Sequence, residues 1–296
     1  LTANTTGESN VAIGDNSLAA NTTAFFNTAI GSEAMAANTT GNKNVAVGHL
    51  ALDANTVGDR NTAIGSSSLT TFNVSSNADT YNTAVGSLSL KSLTTGTLNT
   101  AVGGQAMELS TTGGSNTAMG YGALNANTTG AQNVAVGTAA LDANTTAEEN
   151  TAVGYSAAGA TTRLNTTGAS NTAVGKDSLG ANTTGTRNVA VGASAGLSIT
   201  TGSYNVLMGT FTGDAITTGE QNAAFGDAAL SANTTGTDNV AIGDQALKVN
   251  TTASNNTAVG SSALIANTTG GDNVAIGMSS MVANTTGTAN VAIGKA

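Results

Sequence analysis

Apolar and polar positions recur along the chain with a fixed period, and this period predicts the fold. The segment Asn10-Val11-Ala12-Ile13-Gly14 has seventeen copies, each with Asn four residues before Gly and with Val, Ile, Met or Phe directly before it. The residue two positions before the Gly is Ala in every copy but one, where it is Leu207. The copies are 17 residues apart, except for two steps of 21. A short, exact period of this kind is typical of a solenoid.

The second half of each copy is nearly as regular. Leu or Met stands four residues after the Gly, as at Leu18 and Met35, and a turn such as Asn38-Thr39-Thr40-Gly41 follows. A helical repeat needs roughly 33 to 47 residues, whereas a 17-residue copy with two corners leaves about four residues per side, which is strand length. The sequence therefore predicts an all-β fold, a parallel β-solenoid or β-roll of about seventeen 17-residue coils. Each coil is expected to have two short strands, one on each side.

Each recurring residue receives a structural role in this interpretation. The residue before the Gly and the Leu or Met are expected to point inward. The Ala is expected to point outward, where a neighbouring molecule packs closely. Gly permits a positive φ at a corner, and Asn amides stack into ladders between coils. The predicted structural ladder comprises Asn10, Asn27, Asn44, Asn133, Asn188, Asn239, Asn273, Gly14, Gly48, Gly137, Gly243 and Gly294.

The repeat extends over residues 1–296, which indicates a single β-solenoid domain. The two longer steps are expected to form corner loops near residues 73–79 and 159–164, because insertions in solenoids lie there. Gly196 and Gly213 replace the inward Leu in two copies, with Leu197 and Phe211 nearby as candidate substitutes.

Composition and charge remove several classes of function. The chain has no Pro, Cys or Trp, only 8% charged residues and a net charge of −9. An acidic surface disfavours nucleic acid and anionic membranes, and no apolar stretch approaches the roughly 18 residues of a membrane span. The single His49 has no evident catalytic or metal-binding partners, and the Gly spacing follows the coil rather than a phosphate-binding loop. We therefore expect no catalytic residue, cofactor or metal, and scattered carboxylates such as Asp15 and Asp244 fit a solvated face better than a calcium site.

The turn Asn-Thr-Thr is also a formal glycosylation sequon. A corner motif that makes turn and ladder hydrogen bonds is the favoured interpretation, and glycosylated corners are the alternative. The sequon asparagines are Asn4, Asn21, Asn38, Asn127, Asn144, Asn165, Asn182, Asn233, Asn250, Asn267 and Asn284.

The motif Asn-x-Ala-Val/Ile-Gly resembles the head repeats of trimeric autotransporter adhesins of the YadA type. The strings of Asn-Thr-Ala-Val-Gly, Ala-Leu and Asn-Thr-Thr-Gly are similar to repeats in bacteriophage tail fibres. The head repeats of the family are typically shorter, so the extra residues at Asn-Thr-Thr-Gly depart from its pattern. The resemblance implies a homotrimer of parallel β-rolls at a cell or virion surface.

The sequence is compatible with three functions. A structural and adhesive segment of an extracellular or virion fibre is favoured, with the chain itself and a host-surface receptor or glycan as partners. An ice-binding solenoid that uses Thr ladders is the alternative. A polysaccharide-cleaving enzyme is disfavoured, because no cluster of carboxylates is visible. Since Leu1 and Ala296 both fall within regular copies, we also expect continuation into flanking segments or end-to-end assembly.

Overall fold

A computed structural model describes residues 1–159 and 167–296, which form two compact units, Leu1–Glu148 and Glu149–Ala296. The described residues contain β-strands and turns but no helix. The strands of the first unit are β1 (Val11–Ile13), β2 (Thr28–Ile30), β3 (Val45–Val47), β4 (Gly58–Asp59), β5 (Thr62–Ile64), β6 (Ala78–Asp79), β7 (Thr83–Val85), β8 (Thr100–Val102), β9 (Thr117–Met119) and β10 (Val134–Val136). Those of the second unit are β11 (Thr151–Val153), β12 (Thr172–Val174), β13 (Val189–Val191), β14 (Val206–Met208), β15 (Ala223–Phe225), β16 (Val240–Ile242), β17 (Thr257–Val259), β18 (Val274–Ile276) and β19 (Val291–Ile293).

Successive coils stack directly, so that equivalent residues pair in a parallel sheet. In the first unit Val11 pairs with Thr28, and Ala12 pairs with Ala29. In the second unit every strand from β11 to β19 pairs in parallel with the next in the same register. The predicted parallel β-solenoid of 17-residue coils is therefore confirmed.

Among the described residues, the side of the coil opposite the strands forms turns rather than the expected second strand. The residues two and four positions after the corner Gly adopt left-handed φ values instead, for example 58° at Glu33 and 50° at Met35. Glu33 N–H donates to Asp15 of the preceding coil over 2.8 Å, whereas Met35 N–H donates to Ala51 of the following coil over 3.0 Å. This side of the coil is therefore a series of turns that hydrogen-bond to the neighbouring coils. Residues with left-handed φ values prevent the backbone from extending into a strand.

The expected direction of the strand side chains is also wrong. The central Ala of each internal strand points inward, and Ala29 and Ala46 have no exposed surface. The residue before the Gly points outward, since Ile30 is 37% and Ile64 is 39% exposed. In a three-residue strand only the middle side chain faces one side. Buried Leu and Met side chains from the turn side fill most of the thin interior, so only a small residue fits opposite them.

In one region of the core, a larger residue on the strand side accompanies smaller residues on the turn side. Leu207 replaces the inward Ala of β14, and Gly196 and Gly213 replace the Leu of the turn side. A Cβ atom added at either glycine would lie 2.9 Å from a Leu207 methyl carbon. Leu207 therefore fills the space that the two missing leucines leave, whereas the candidate substitute Phe211 is 50% exposed.

The first insertion extends the corner outward without disturbing the coil stack. Its last residues form β6, which pairs in parallel with β4, and Thr62 pairs with Thr83 immediately afterwards. Of the second predicted insertion only Gly159 is described, and residues 160–164 lie outside the described part of the chain.

Candidate functional site: asparagine ladders and an outward strand face

A ladder of buried asparagines precedes the strands and includes every Asn predicted for it. The Asn44 backbone N–H donates to Asn27 Oδ1 over 2.9 Å, and the Asn44 side-chain amide donates to the Gly58 carbonyl over 2.8 Å. Each ladder Asn thus accepts from the N–H of the next ladder Asn and donates to the carbonyl three residues before that Asn, so both bonds run to the next coil. The same bonds hold Asn10, Asn133, Asn188, Asn239 and Asn273. Because the amide groups of these side chains already form hydrogen bonds with backbone groups, the ladder holds the coils together rather than binding a ligand.

A second asparagine ladder runs along the Asn-Thr-Thr-Gly corner. Asn38 Nδ2 donates to Asn21 Oδ1 over 3.3 Å and to the Gly41 carbonyl over 3.0 Å. This nitrogen is the atom to which a glycan would be attached. Since the amides of the internal coils are buried and each donates to the carbonyl of its own corner, glycosylation would require the folded corner to open. Asn4 is exposed in the first coil, and the sequon at Asn165 lies outside the described residues.

The corner ladder is interrupted in the second unit. Ile199 and Ile216 replace the Asn in two successive coils and are completely buried. The coil before them ends the ladder at Asn182, whose Oδ1 is buried without a hydrogen-bond partner because Ile199 has no amide to donate. The interruption lies beside Leu207, so this part of the core exchanges amide hydrogen bonds for apolar packing.

The glycines directly after the strands are required for a steric as well as a conformational reason. Gly14, Gly48, Gly137, Gly243 and Gly294 have φ values between 126° and 137°. A Cβ atom added at Gly48 would lie 2.6 Å from the Gly65 carbonyl oxygen of the next coil, and one at Gly243 would lie 2.6 Å from the Gly260 carbonyl carbon. A Cβ atom added at Gly294, the last of these glycines, would have no atom within 4 Å. The close stacking of coils at this corner therefore excludes any side chain.

The outer face of the strands is the main exposed apolar surface of each unit. Its first outer column contains the residue after each ladder Asn, and its second outer column contains the residue before each corner Gly. The first column consists of Val11, Thr28, Val45, Thr62, Thr83, Thr100, Thr117 and Val134, then Thr151, Thr172, Val189, Val206, Ala223, Val240, Thr257, Val274 and Val291. The second column consists of Ile13, Ile30, Val47, Ile64, Val85, Val102, Met119 and Val136, then Val153, Val174, Val191, Met208, Phe225, Ile242, Val259, Ile276 and Ile293.

None of these side chains is buried. Strands of three residues make the face about 10 Å wide, and a strand spacing of about 4.8 Å gives areas of roughly 340 Å² for the first unit and 380 Å² for the second. Areas of this size fall within the roughly 300 to 600 Å² that the largest apolar patch of a typical monomer covers, and such patches are often functional. Sequence reasoning missed this face because it assigned the Val and Ile positions to the interior.

The two threonines of the corner differ in what their hydroxyl groups do. Thr39 Oγ1 donates to the Thr56 carbonyl of the next coil over 3.0 Å, and the same bond recurs at Thr128 and Thr234. The following residue is exposed in most coils, as at Thr129 and Thr235. The corner thus presents one column of threonines to solvent.

Charged groups are few and lie at the surface. Arg60 Nε pairs with Asp79 Oδ1 over 2.6 Å, and its guanidinium lies 5.5 Å from the centre of the Tyr81 ring. The hydrogen bond from Arg60 lowers the pKa of Asp79. Burial raises the pKa of Asp53 and of Asp214, and each has one carboxylate oxygen without a hydrogen-bond partner.

The described residues contain no group of three or more His, Cys, Asp or Glu side chains suited to hold a metal ion. His49 is exposed. No helix in the described part of the chain is both long and apolar enough to cross a bilayer.

Comparisons with protein-family models, with curated proteins and with solved structures found no match. The class of the protein therefore follows from its coordinates alone: it is a β-solenoid repeat protein whose recurring residues maintain the coil.

Proposed function

We propose that this chain is a structural and adhesive repeat segment of an extracellular or virion surface fibre, and that it assembles as a parallel homotrimer. The observation that carries the proposal is the pair of outer columns, because they repeat an apolar surface on every coil while all other recurring residues serve the coil itself. Water leaves such a surface when two copies meet, which is the main driving force of association.

The geometry of the face favours copies that share one direction. Around an axis parallel to the stack, the first outer column of one copy meets the second outer column of its neighbour, because rotation exchanges left and right. Thr or Val then faces Val or Ile on most coils. Each unit offers a face of roughly 340 to 380 Å², a little under half of the ~800 Å² that each partner contributes to a standard interface. The threefold symmetry and the exposed location rest on the resemblance to adhesin heads and tail fibres.

Measurement of the mass in solution tests the assembly directly. Sedimentation equilibrium of the full chain should give three times the monomer mass of 28.5 kDa. The variant V191K/I242K should be monomeric with an unchanged circular dichroism spectrum, since two charges per copy enter the outer face. The matched variant T184K/T235K adds the same charges at the exposed corner and should stay trimeric. A wild-type chain that remains monomeric at high concentration would refute the proposal.

The adhesive role has a separate test. The trimer should bind glycans or cells on a surface array, with avidity lost in the monomeric V191K/I242K variant because multivalency is lost. An assembled trimer that binds no surface would leave a purely structural fibre.

A further inference from the structure

A perfectly periodic face specifies contact between copies but not their alignment along the stack. Because equivalent residues repeat every 17 positions, sliding one copy by one coil restores almost the same contacts. Register of this kind is weakly specified unless one position breaks the repeat. The irregular coils of the outer face are therefore the places to look for an alignment signal.

One coil of the second unit breaks the repeat in both columns at once. Strand β15 carries Ala223 in the first column and Phe225 in the second, where every other described coil carries Thr or Val and a smaller residue than Phe. Its neighbours in the sheet are Val206 and Val240 beside Ala223, and Met208 and Ile242 beside Phe225. The smallest residue of one column thus occurs on the strand that has the largest residue of the other.

The occurrence of a small and a large residue on the same strand affects the packing between two copies of the chain. Both side chains lie on the outer side of the sheet, so the coil interior does not demand that one shrinks when the other grows. In parallel copies related by an axis along the stack, the first column of one copy faces the second column of its neighbour at the same height. Ala223 of one copy then faces Phe225 of the next, and the summed volume stays near that of a Val–Ile pair, as close packing requires.

We propose that Ala223 and Phe225 set the axial register between parallel copies of this chain. Aligned copies place each Phe225 ring over an Ala223 methyl group. A shift of one coil places the ring against Val206 or Val240, which overpacks the interface and leaves a gap at Ala223. The inference rests on the proposed self-association and adds its alignment.

Disulfide trapping reads the register, because the native chain has no cysteine. Full-length V240C chains are mixed with I242C chains to detect aligned copies, since these positions lie on one strand in opposite columns. V240C chains are mixed with V259C chains to detect a shift of one coil. With Ala223 and Phe225 present, the aligned crosslink should exceed the shifted one by about ten-fold, the effect of one overpacked contact.

The variant A223V/F225V makes β15 regular and should reduce this ratio by about the same factor. Adding V274A/I276F to that variant moves the small and large pair to β18 and should restore the aligned crosslink, because all copies carry the pair at the same height. Sedimentation of each mixture shows whether it assembles.

The outcomes separate the two proposals. Monomeric chains without either crosslink would overturn the proposed assembly. Assembled A223V/F225V chains that keep the aligned preference would overturn the role of Ala223 and Phe225, as would assembled wild-type chains that give neither crosslink. Loss of the preference without rescue by the moved pair would mean that the two residues act within one chain, which also overturns it.

Discussion

Replacing Gly120 by alanine should disrupt the stack far more than replacing Gly122, two residues away on the same coil. Both residues have positive φ, 138° at Gly120 and 64° at Gly122. A Cβ atom at Gly120 would lie 2.5 Å from the Gly137 carbonyl oxygen of the next coil, whereas one at Gly122 would have no atom within 4 Å. The pair therefore compares a glycine that has both a close neighbour and a φ that side chains rarely adopt with one that has open space and an ordinary left-handed φ.

The magnitude follows from the hydrogen bonds beside the clash. Ordinary contact begins at 3.4 Å, so the coils must move apart by 3.4 − 2.5 = 0.9 Å at Gly120. The bonds from Gly137 N–H to Met119 (2.7 Å) and from Thr117 N–H to Asn133 (2.8 Å) would then stretch beyond bonding distance. Two lost bonds at about 1 kcal/mol each and a strained φ at about 1 to 3 kcal/mol give about 3 to 5 kcal/mol for Gly120→Ala.

Gly122→Ala should change stability by less than about 1 kcal/mol. The equivalent residue of the next coil is Ala139, which adopts a φ of 55°. The left-handed cost of alanine is largely offset by the conformational entropy that glycine loses on folding.

Urea unfolding followed by circular dichroism measures the global effect, and hydrogen exchange of the β9 and β10 amides measures the local one. Exchange is needed because repeat proteins can unfold coil by coil. Equal losses of protection in the two variants would refute the reasoning, since neither the coil spacing nor the φ of Gly120 would then explain why glycine recurs at the corner of each copy.

Further expectations concern the interior and its polar groups. Ala135→Asp should destabilise the fold by several kcal/mol because it buries an unpaired charge, whereas Val136→Asp should leave the coil folded and act only on association; equal unfolding midpoints would contradict the inward position of Ala135. Asp53→Asn should raise stability at neutral pH but not below pH 3.8, because a group with a raised native pKa contributes stability at low pH that is lost as the pH rises through that pKa; parallel melting curves of both proteins across pH would argue against it. Asn182→Leu should cost little, because removal of an unpaired oxygen offsets the loss of the bond from Asn182 Nδ2 to the Gly185 carbonyl, while Asn250→Leu should cost about 1 to 3 kcal/mol by breaking two ladder bonds, as urea titrations would show.

The coil architecture was accessible from the sequence because it depends on period. A 17-residue repeat with Gly and Asn at constant offsets leaves no room for helices, and the stacking of equal residues follows from equal spacing. The ladder positions were accessible for the same reason, since a polar residue that recurs on every coil must meet its own copies. Asn27 and Asn44 are 17 residues apart, and the stacking of the coils brings them within hydrogen-bonding distance.

The direction of each side chain could not be read from the period. Val-Ala-Val is compatible with Ala inside or outside, because alternation in a three-residue strand defines two faces but not which one is the core. The turn side decides, since its left-handed Leu and Met side chains fill the interior and leave only the volume of Ala opposite. The same sharing of the interior volume explains why Leu207 lies beside Gly196 and Gly213, the two positions that lack the usual Leu or Met.

The sequence by itself thus determined the repeat, the parallel stack and the residues that connect its coils, because these depend on spacing along the chain. Only the tertiary structure decided that one side of the coil is a run of turns, that Ala faces inward, and that Val and Ile form an exposed face. These features depend on how two sides share one thin interior, a competition for volume between residues that lie apart in the chain.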